Sequence, residues 1–213
     1  MLSRVASNLY WMSRYLERAE SMARILDVGQ SLALLSGRDV DSRTAAEPLV
    51  ITDTLDAFQE GGGSPSPEAV ARFLAWDARH PSSIVNALES ARENARSVRG
   101  SITSEMWETL NATWIELRDA GARDVSPAGL QHFIDWVKHR SQLLRGVWQG
   151  TMLRDEGFAF LRMGAALERA DGTARILGAR LATTSGGTGI SGFYQWGVLL
   201  RAMSAFENYR KLY

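Results

Sequence analysis

Apolar residues recur alternately three and four apart from the start of the chain. Leu2, Val5, Leu9, Met12, Leu16, Ala19, Ala23 and Leu26 form a seam that predicts one long helix over residues 2 to about 35. Trp11, Tyr15 and Met22 widen the apolar arc, a width that suits more than one neighbour. Arg14, Glu17, Glu20 and Arg24 take the other flank, with Glu20 and Arg24 an i,i+4 pair in the favourable order. A second seam, Phe160, Met163, Leu167, Ala170, Ala174, Ile176–Leu177 and Leu181, predicts another long helix over about 155–182. Shorter apolar stripes predict helices over 48–60, 67–77, about 83–99, 102–117 and 127 to about 150, the last with a bend near Gly146 or Gly150. A final helix covers about 193–212.

The breaks are polar or rich in Gly and Pro: 37–46, 61–67, 80–83, 100–101, 121–126 and 185–192. Three carry start signals, namely Ser66 before Pro67, Ser82 or Ser83, and Ser126 before Pro127. No stretch shows period-two alternation. The pattern predicts an all-α helical bundle of about eight helices in a single domain, 1–213.

The two long seams are copies. LERAESMARIL at 16–26 returns as LERADGTARIL at 167–177, offset by 151 positions, with eight of eleven residues identical. A looser third copy, LESARENARSV, occupies 88–98. The chain therefore divides into a first half-repeat, 1–150, and a partial second, 151–213. Shifted by 151, the helices at 67–77 and 83–99 would fall beyond Tyr213. The second copy thus reads as unfinished: a half that never had those helices, a fragment, or a chain whose cover comes from a neighbour.

Composition narrows the function classes. Hydrophobic residues make up 45% of 213, enough for a sizeable core. The 24 basic and 24 acidic residues cancel, so nothing draws the molecule as a whole to nucleic acid. The absence of Cys excludes disulfides, thiolate metal sites and cysteine nucleophiles. Arg and Glu every few residues interrupt the N-terminal region, so no signal-peptide core forms, and no run of about 18 apolar residues offers a membrane span. A soluble, cytoplasmic protein is the expectation.

Three segments, 2–28, 81–111 and 152–177, together resemble the alpha-E family, bacterial helical proteins named for their Glu-Arg motifs. The resemblance covers nearly the whole chain. It implies a helical fold and partnership with an ATP-grasp-type ligase or a transglutaminase-like protein, in the making or modification of a small peptide. Family members typically continue well past the position of Tyr213, which agrees with the unfinished repeat.

The dipeptides Glu17-Arg18 and Glu168-Arg169 are the first candidates for chemistry. Adjacent helical residues point about 100° apart, so a site needs side chains from both long helices. If these pack as pseudo-symmetric neighbours, Glu17, Arg24, Glu168 and Arg175 can converge, and two arginines can hold a carboxylate or phosphate. The alternative is a buried Glu-Arg network that fixes helix packing. Arg92, Asn94 and Arg96 form a second candidate, either part of an anion pocket or a solvated face. Asp155 and Glu156 suit a helix first turn. His132, Asp135 and His139 share a face, but Trp136 stands among them and no second cluster completes a metal site. The run 187–192 matches G-x-G-x-x-G without a surrounding βαβ unit and reads as a loop. No metal or cofactor is expected. The preferred reading is an accessory, binding protein of a peptide amide-ligation system. An enzyme of that system, with Glu17 or Glu168 as general base, and a structural, oligomerising bundle both stay open.

Overall fold

The computed structural model describes residues 1–36, 41–119, 124–183 and 190–213. The described residues form ten α-helices: α1 (Ser3–Ser36), α2 (Ser42–Thr52), α3 (Leu55–Glu60), α4 (Pro67–Trp76), α5 (Ile84–Ser97), α6 (Ser104–Asp119), α7 (Pro127–Thr151), α8 (Glu156–Thr183), α9 (Ile190–Ala202) and α10 (Phe206–Leu212). A 3-10 turn, Arg99–Ser101, joins α5 to α6. The fold class is all-α, as the apolar spacing predicts. Parts of the predicted breaks at 37–46 and 121–126, and positions 187–189 of the Gly-rich run, lie outside the described residues.

The starts predicted at Ser66, at Ser82 or Ser83, and at Ser126 are real caps, the second falling on Ser83. The hydroxyls of Ser66, Ser83 and Ser126 accept from the backbone N–H of Ala69, Asn86 and Gly129, three residues on in each case. Each satisfies a donor that a helix N-terminus would otherwise leave bare.

Two predicted helices are each divided in two, which raises the count from eight to ten. In 48–60 the chain breaks at Asp53, which adopts the left-handed conformation (φ 57°) and donates its N–H back to the Leu49 and Val50 carbonyls. Pro48, expected to open this helix, lies inside α2, because Asp41 starts it earlier by capping Thr44. In 193–212 the break is at Ser204, also left-handed at φ 56°.

Helix α1 is the axis of the molecule. It packs on α8, α5, α7, α4, α2 and α9. Its seam residues Leu9, Met12, Leu16, Ala19, Ala23 and Leu26 enter the main core with Leu74, Ile84, Leu88, Ala91, Leu110, Ile134, Val137 and Leu161. Full burial of one such leucine or isoleucine is worth about 1.5–3 kcal/mol. Toward its C-terminal end, Ile25, Val28 and Leu32 join Ile51, Ile176, Val198 and Leu199 in a smaller core.

The second seam does not mirror the first. Helix α8 turns Phe158, Leu161 and Gly164 to the interior, while Met163, Leu167, Ala170, Ala174 and Leu177 face outward. Gly164 lets the two long helices touch: a Cβ there would sit 2.3 Å from the Tyr10 carbonyl oxygen and 2.3 Å from Ser13 Oγ.

Candidate functional site

The contact between α1 and α8 carries a buried ionic network. Along α1, Arg14 and Arg18 are one turn apart and form one ridge. Glu17, Glu20 and Arg24 form the other, by the same three- and four-residue spacing. Helix α8 sets Glu168 over the arginine ridge. Its Oε1 accepts from Arg18 Nε at 2.6 Å, and its Oε2 from Arg14 Nε at 2.6 Å and Arg18 Nη2 at 3.1 Å. One residue on, Arg169 Nε donates to Glu17 Oε1 at 2.7 Å.

The pairing is reciprocal. The Glu of each Glu-Arg dipeptide binds the Arg of the other. The 100° step between neighbours explains why: within one dipeptide, Glu and Arg reach different partners.

Arg145 of α7 ties in the third carboxylate. Its Nη2 donates to Glu17 Oε2 at 2.8 Å and to Glu20 Oε2 at 2.5 Å. Arg24 closes the chain on Glu20 Oε1 with Nε at 3.1 Å and Nη2 at 2.8 Å. Glu17, Glu20 and Glu168 are all buried, and each accepts from two different guanidiniums. Burial alone would raise the Glu20 pKa. Arg145 and Arg24 outweigh it and hold the carboxyl below its ordinary value. Arg14 is partly desolvated, which lowers its pKa, but its bond to Glu168 leaves it above the usual guanidinium value. Glu17 likewise raises Arg169. Five arginines face three carboxylates, so cations outnumber anions by two.

Aromatic rings support the arginine ridge. The Arg14 guanidinium lies 5.0 Å from the Trp11 ring centre and 5.7 Å from that of Tyr10, and Arg18 lies 5.4 Å from that of Tyr15. Beside Glu17, an enclosed space of about 20 Å³ lies among Met12, Ser13, Leu110, Ser141, Leu144 and Trp148. It has room for one water, and the buried Ser141 Oγ has no partner in it. A substrate does not fit there.

The expected residues separate into three groups. Glu17, Arg18, Glu168, Arg169 and Arg24 do meet along the α1–α8 contact, in two bonded groups side by side: Arg18 on Glu168, and Arg169 on Glu17, which reaches Arg24 through Arg145 and Glu20. Arg175 does not converge with them. It pairs with Asp171 at 2.9 Å on the exposed side of α8, on the rim of a polar pocket of about 330 Å³ that Arg18 and Glu168 also line. Its other partner is Asp53, 3.8 Å away just past α2. Among the described residues, Arg92, Asn94 and Arg96 make no bond to the network. Arg92 donates to Asn111 and Glu93, Arg96 to Glu93, and Asn94 to the Ser90 carbonyl. Asp155 caps α8 by accepting from the Phe158 N–H, and Glu156 meets the N-terminal ammonium at 2.9 Å. Asp135 is held by Lys138 and Gln131, and among the described residues no three His, Asp or Glu side chains converge as for a metal.

Three participants lie outside the candidate set: Arg14 and Glu20, which sequence reading placed only on the polar flank of the first helix, and Arg145, which it did not single out. A weak signal existed for Arg145: it lies one turn past Ser141, at the margin of the α7 stripe of Ile134, Val137, Ser141, Leu144 and Trp148.

Two Glu-Arg dipeptides locked into each other are this fold's defining feature. A family described as a predicted alpha-helical domain with a conserved ER motif matches residues 1–213. The chain belongs to the Alpha-E family. Its relatives include uncharacterized proteins of Mycobacterium bovis and Mycobacterium tuberculosis. Each is 27% identical over 201 residues, an alignment covering 84% of this chain and 22% of the relative. This Alpha-E chain therefore spans about a fifth of the length of the curated relatives it matches. No solved structure matches it. Among the described residues, no helix is long and apolar enough to cross a membrane.

Proposed function

We propose that this Alpha-E chain is an accessory binding domain, working beside an ATP-grasp-type ligase in a peptide amide-ligation or peptide-modification system. The ligase partnership follows from the family resemblance. The binding role is supported by one observation: each buried carboxylate already accepts from two guanidiniums. A general base needs a carboxylate free to take a proton near working pH. Glu20 is held ionised by its arginines, and Glu17 and Glu168 spend their oxygens on bonds that hold α1 to α8 and α7. The match to a fifth of much longer relatives suits a module that acts with other domains.

The test is affinity capture of the tagged protein from its own cells, with bound proteins identified by mass spectrometry. Enrichment of an ATP-grasp-type ligase is the expected result. A capture with no such ligase, together with amide-bond formation by the purified chain alone, would reverse the assignment. Glu17→Gln separates the same readings. It should lower thermal stability here, whereas a catalytic Glu17 would lose activity and keep its stability.

A further inference from the structure

The outer face of α8 is an apolar surface that the fold leaves open. On α1, Met12, Leu16, Ala19, Ala23 and Leu26 are at most 9% exposed. Their counterparts 151 positions on are uncovered: Met163 is 49%, Leu167 50% and Leu177 38% exposed, with Ala170 and Ala174 between them. Along one margin of this strip runs a groove of about 660 Å³ between α7 and α8. Arg145, Arg162 and Arg169 line it, and no lining residue is acidic. Arg169 spends Nε on Glu17, and Arg162 is in no ion pair among the described residues.

We propose that this face docks an amphipathic helix of a partner protein, one with an Ala/Leu stripe and a margin of Asp or Glu set along Arg162 and Arg169. The inference rests on the binding reading above and gives it a site. Two observations specify the occupant. The matching seam on α1 is covered by α5, which brings Ala87, Ala91 and Ala95 to a helix that presents Ala19 and Ala23, all five at 0% exposure. A seam of that spacing takes a helix with small residues, which lets the backbones approach. The arginine margin then calls for carboxylates. A second copy of this chain is poorly suited. Two α8 helices packed antiparallel about a two-fold axis would set the Arg162/Arg169 margin of each against the same margin of the other, and packed parallel they would offer these arginines no line of carboxylates, since Asp171 is held by Arg175.

The test uses a fluorescein-labelled synthetic helix with an Ala/Leu stripe and a glutamate margin, and a twin with lysine in place of glutamate. Binding to the full chain is read by anisotropy. The acidic helix should bind and the basic twin should not. Arg162→Glu should weaken the acidic helix at least tenfold and admit the twin, and Leu167→Glu should weaken the acidic helix as well. Both residues are exposed, so circular dichroism should show unchanged melting for each variant. No binding of the acidic helix, equal affinity for the twins, or indifference to Arg162→Glu overturns the proposal. So does a wild-type dimer that Leu167→Glu dissolves, which would make a second copy the occupant. A ligase that still co-purifies with both variants would leave the functional reading standing and remove this site from it.

Discussion

Replacing Gly164 by alanine tests the contact between the two long helices. In an ordinary helix interior the change stabilises by about 1 kcal/mol, because glycine is the poorer helix former. Here the new Cβ would lie 2.3 Å from the Tyr10 carbonyl oxygen and 3.1 Å from its carbon. The carbonyl belongs to the α1 backbone and cannot swing away as a side chain end could. Relief to an ordinary contact of 3.4 Å requires the helices to separate by roughly 1 Å. That separation stretches the 2.6 Å and 2.7 Å bonds by which Glu168 and Arg169 bridge the helices. Overpacking costs typically about 1–3 kcal/mol, and the strained network adds to it, so the net change should be a loss of about 1–3 kcal/mol. For a chain of this size that lowers Tm by about 2–12 °C. Gly146, inside α7, has nothing within 4 Å of its Cβ position. Gly146→Ala is the control and should raise Tm by a few degrees, about 1 kcal/mol. Differential scanning calorimetry of the two variants reads the sign directly. If Gly164→Ala melts higher, as Gly146→Ala should, α1 and α8 do not meet as described.

Two substitutions contrast the network with an exposed pair outside it. Glu168→Gln should cost about 2–4 kcal/mol in urea unfolding, toward the low side of breaking a buried ion pair, because Arg14 and Arg18 keep some contact with water. Arg175→Ala, whose pair with Asp171 is exposed, should change stability by less than about 0.5 kcal/mol. Acid should destabilise the protein in two steps. Buried His80 is stacked on Phe73 with a lowered pKa, chiefly through desolvation, so its contribution is full at neutral pH and is lost as pH falls below the ordinary value of 6.5. Glu20, also lowered, contributes above 4.5 and loses its contribution as pH falls toward its folded pKa. Melting curves from pH 7 to 3 should show both limbs, and Glu20→Gln should flatten only the lower one.

The helices were legible wherever periodicity ran unbroken. Leu9 through Leu26 state the inner face of α1, and the serines at 66, at 82 or 83, and at 126 mark where three helices begin. The breaks at Asp53 and Ser204 were not legible, because neither residue is the glycine that usually marks a left-handed position. The α8 seam shows the other limit. Apolar spacing says which face of a helix avoids water, and not whether anything covers it. Met163 and Leu167 keep the spacing of Met12 and Leu16 and yet lie open. At the site, the motif pointed to Glu17, Arg18, Glu168 and Arg169, and the 100° step required partners on the opposite helix. Arg145 joins from a third helix with no shared motif, and only tertiary packing brings it to Glu17 and Glu20. Arg175 shares the motif of Arg24 but pairs with Asp171 on its own helix and with Asp53 just past α2, partners that the motif does not name.

The most direct test of the reciprocal Glu-Arg lock is a double-mutant cycle on Arg18 and Glu168, using Arg18→Gln, Glu168→Gln and the double variant in urea unfolding. Arg18 meets Glu168 through two N–H groups, at 2.6 Å and 3.1 Å. The two single losses should therefore not add, and the coupling should be at least about 1 kcal/mol. Losses that add to within about 0.5 kcal/mol would show that the dipeptides of α1 and α8 do not hold each other.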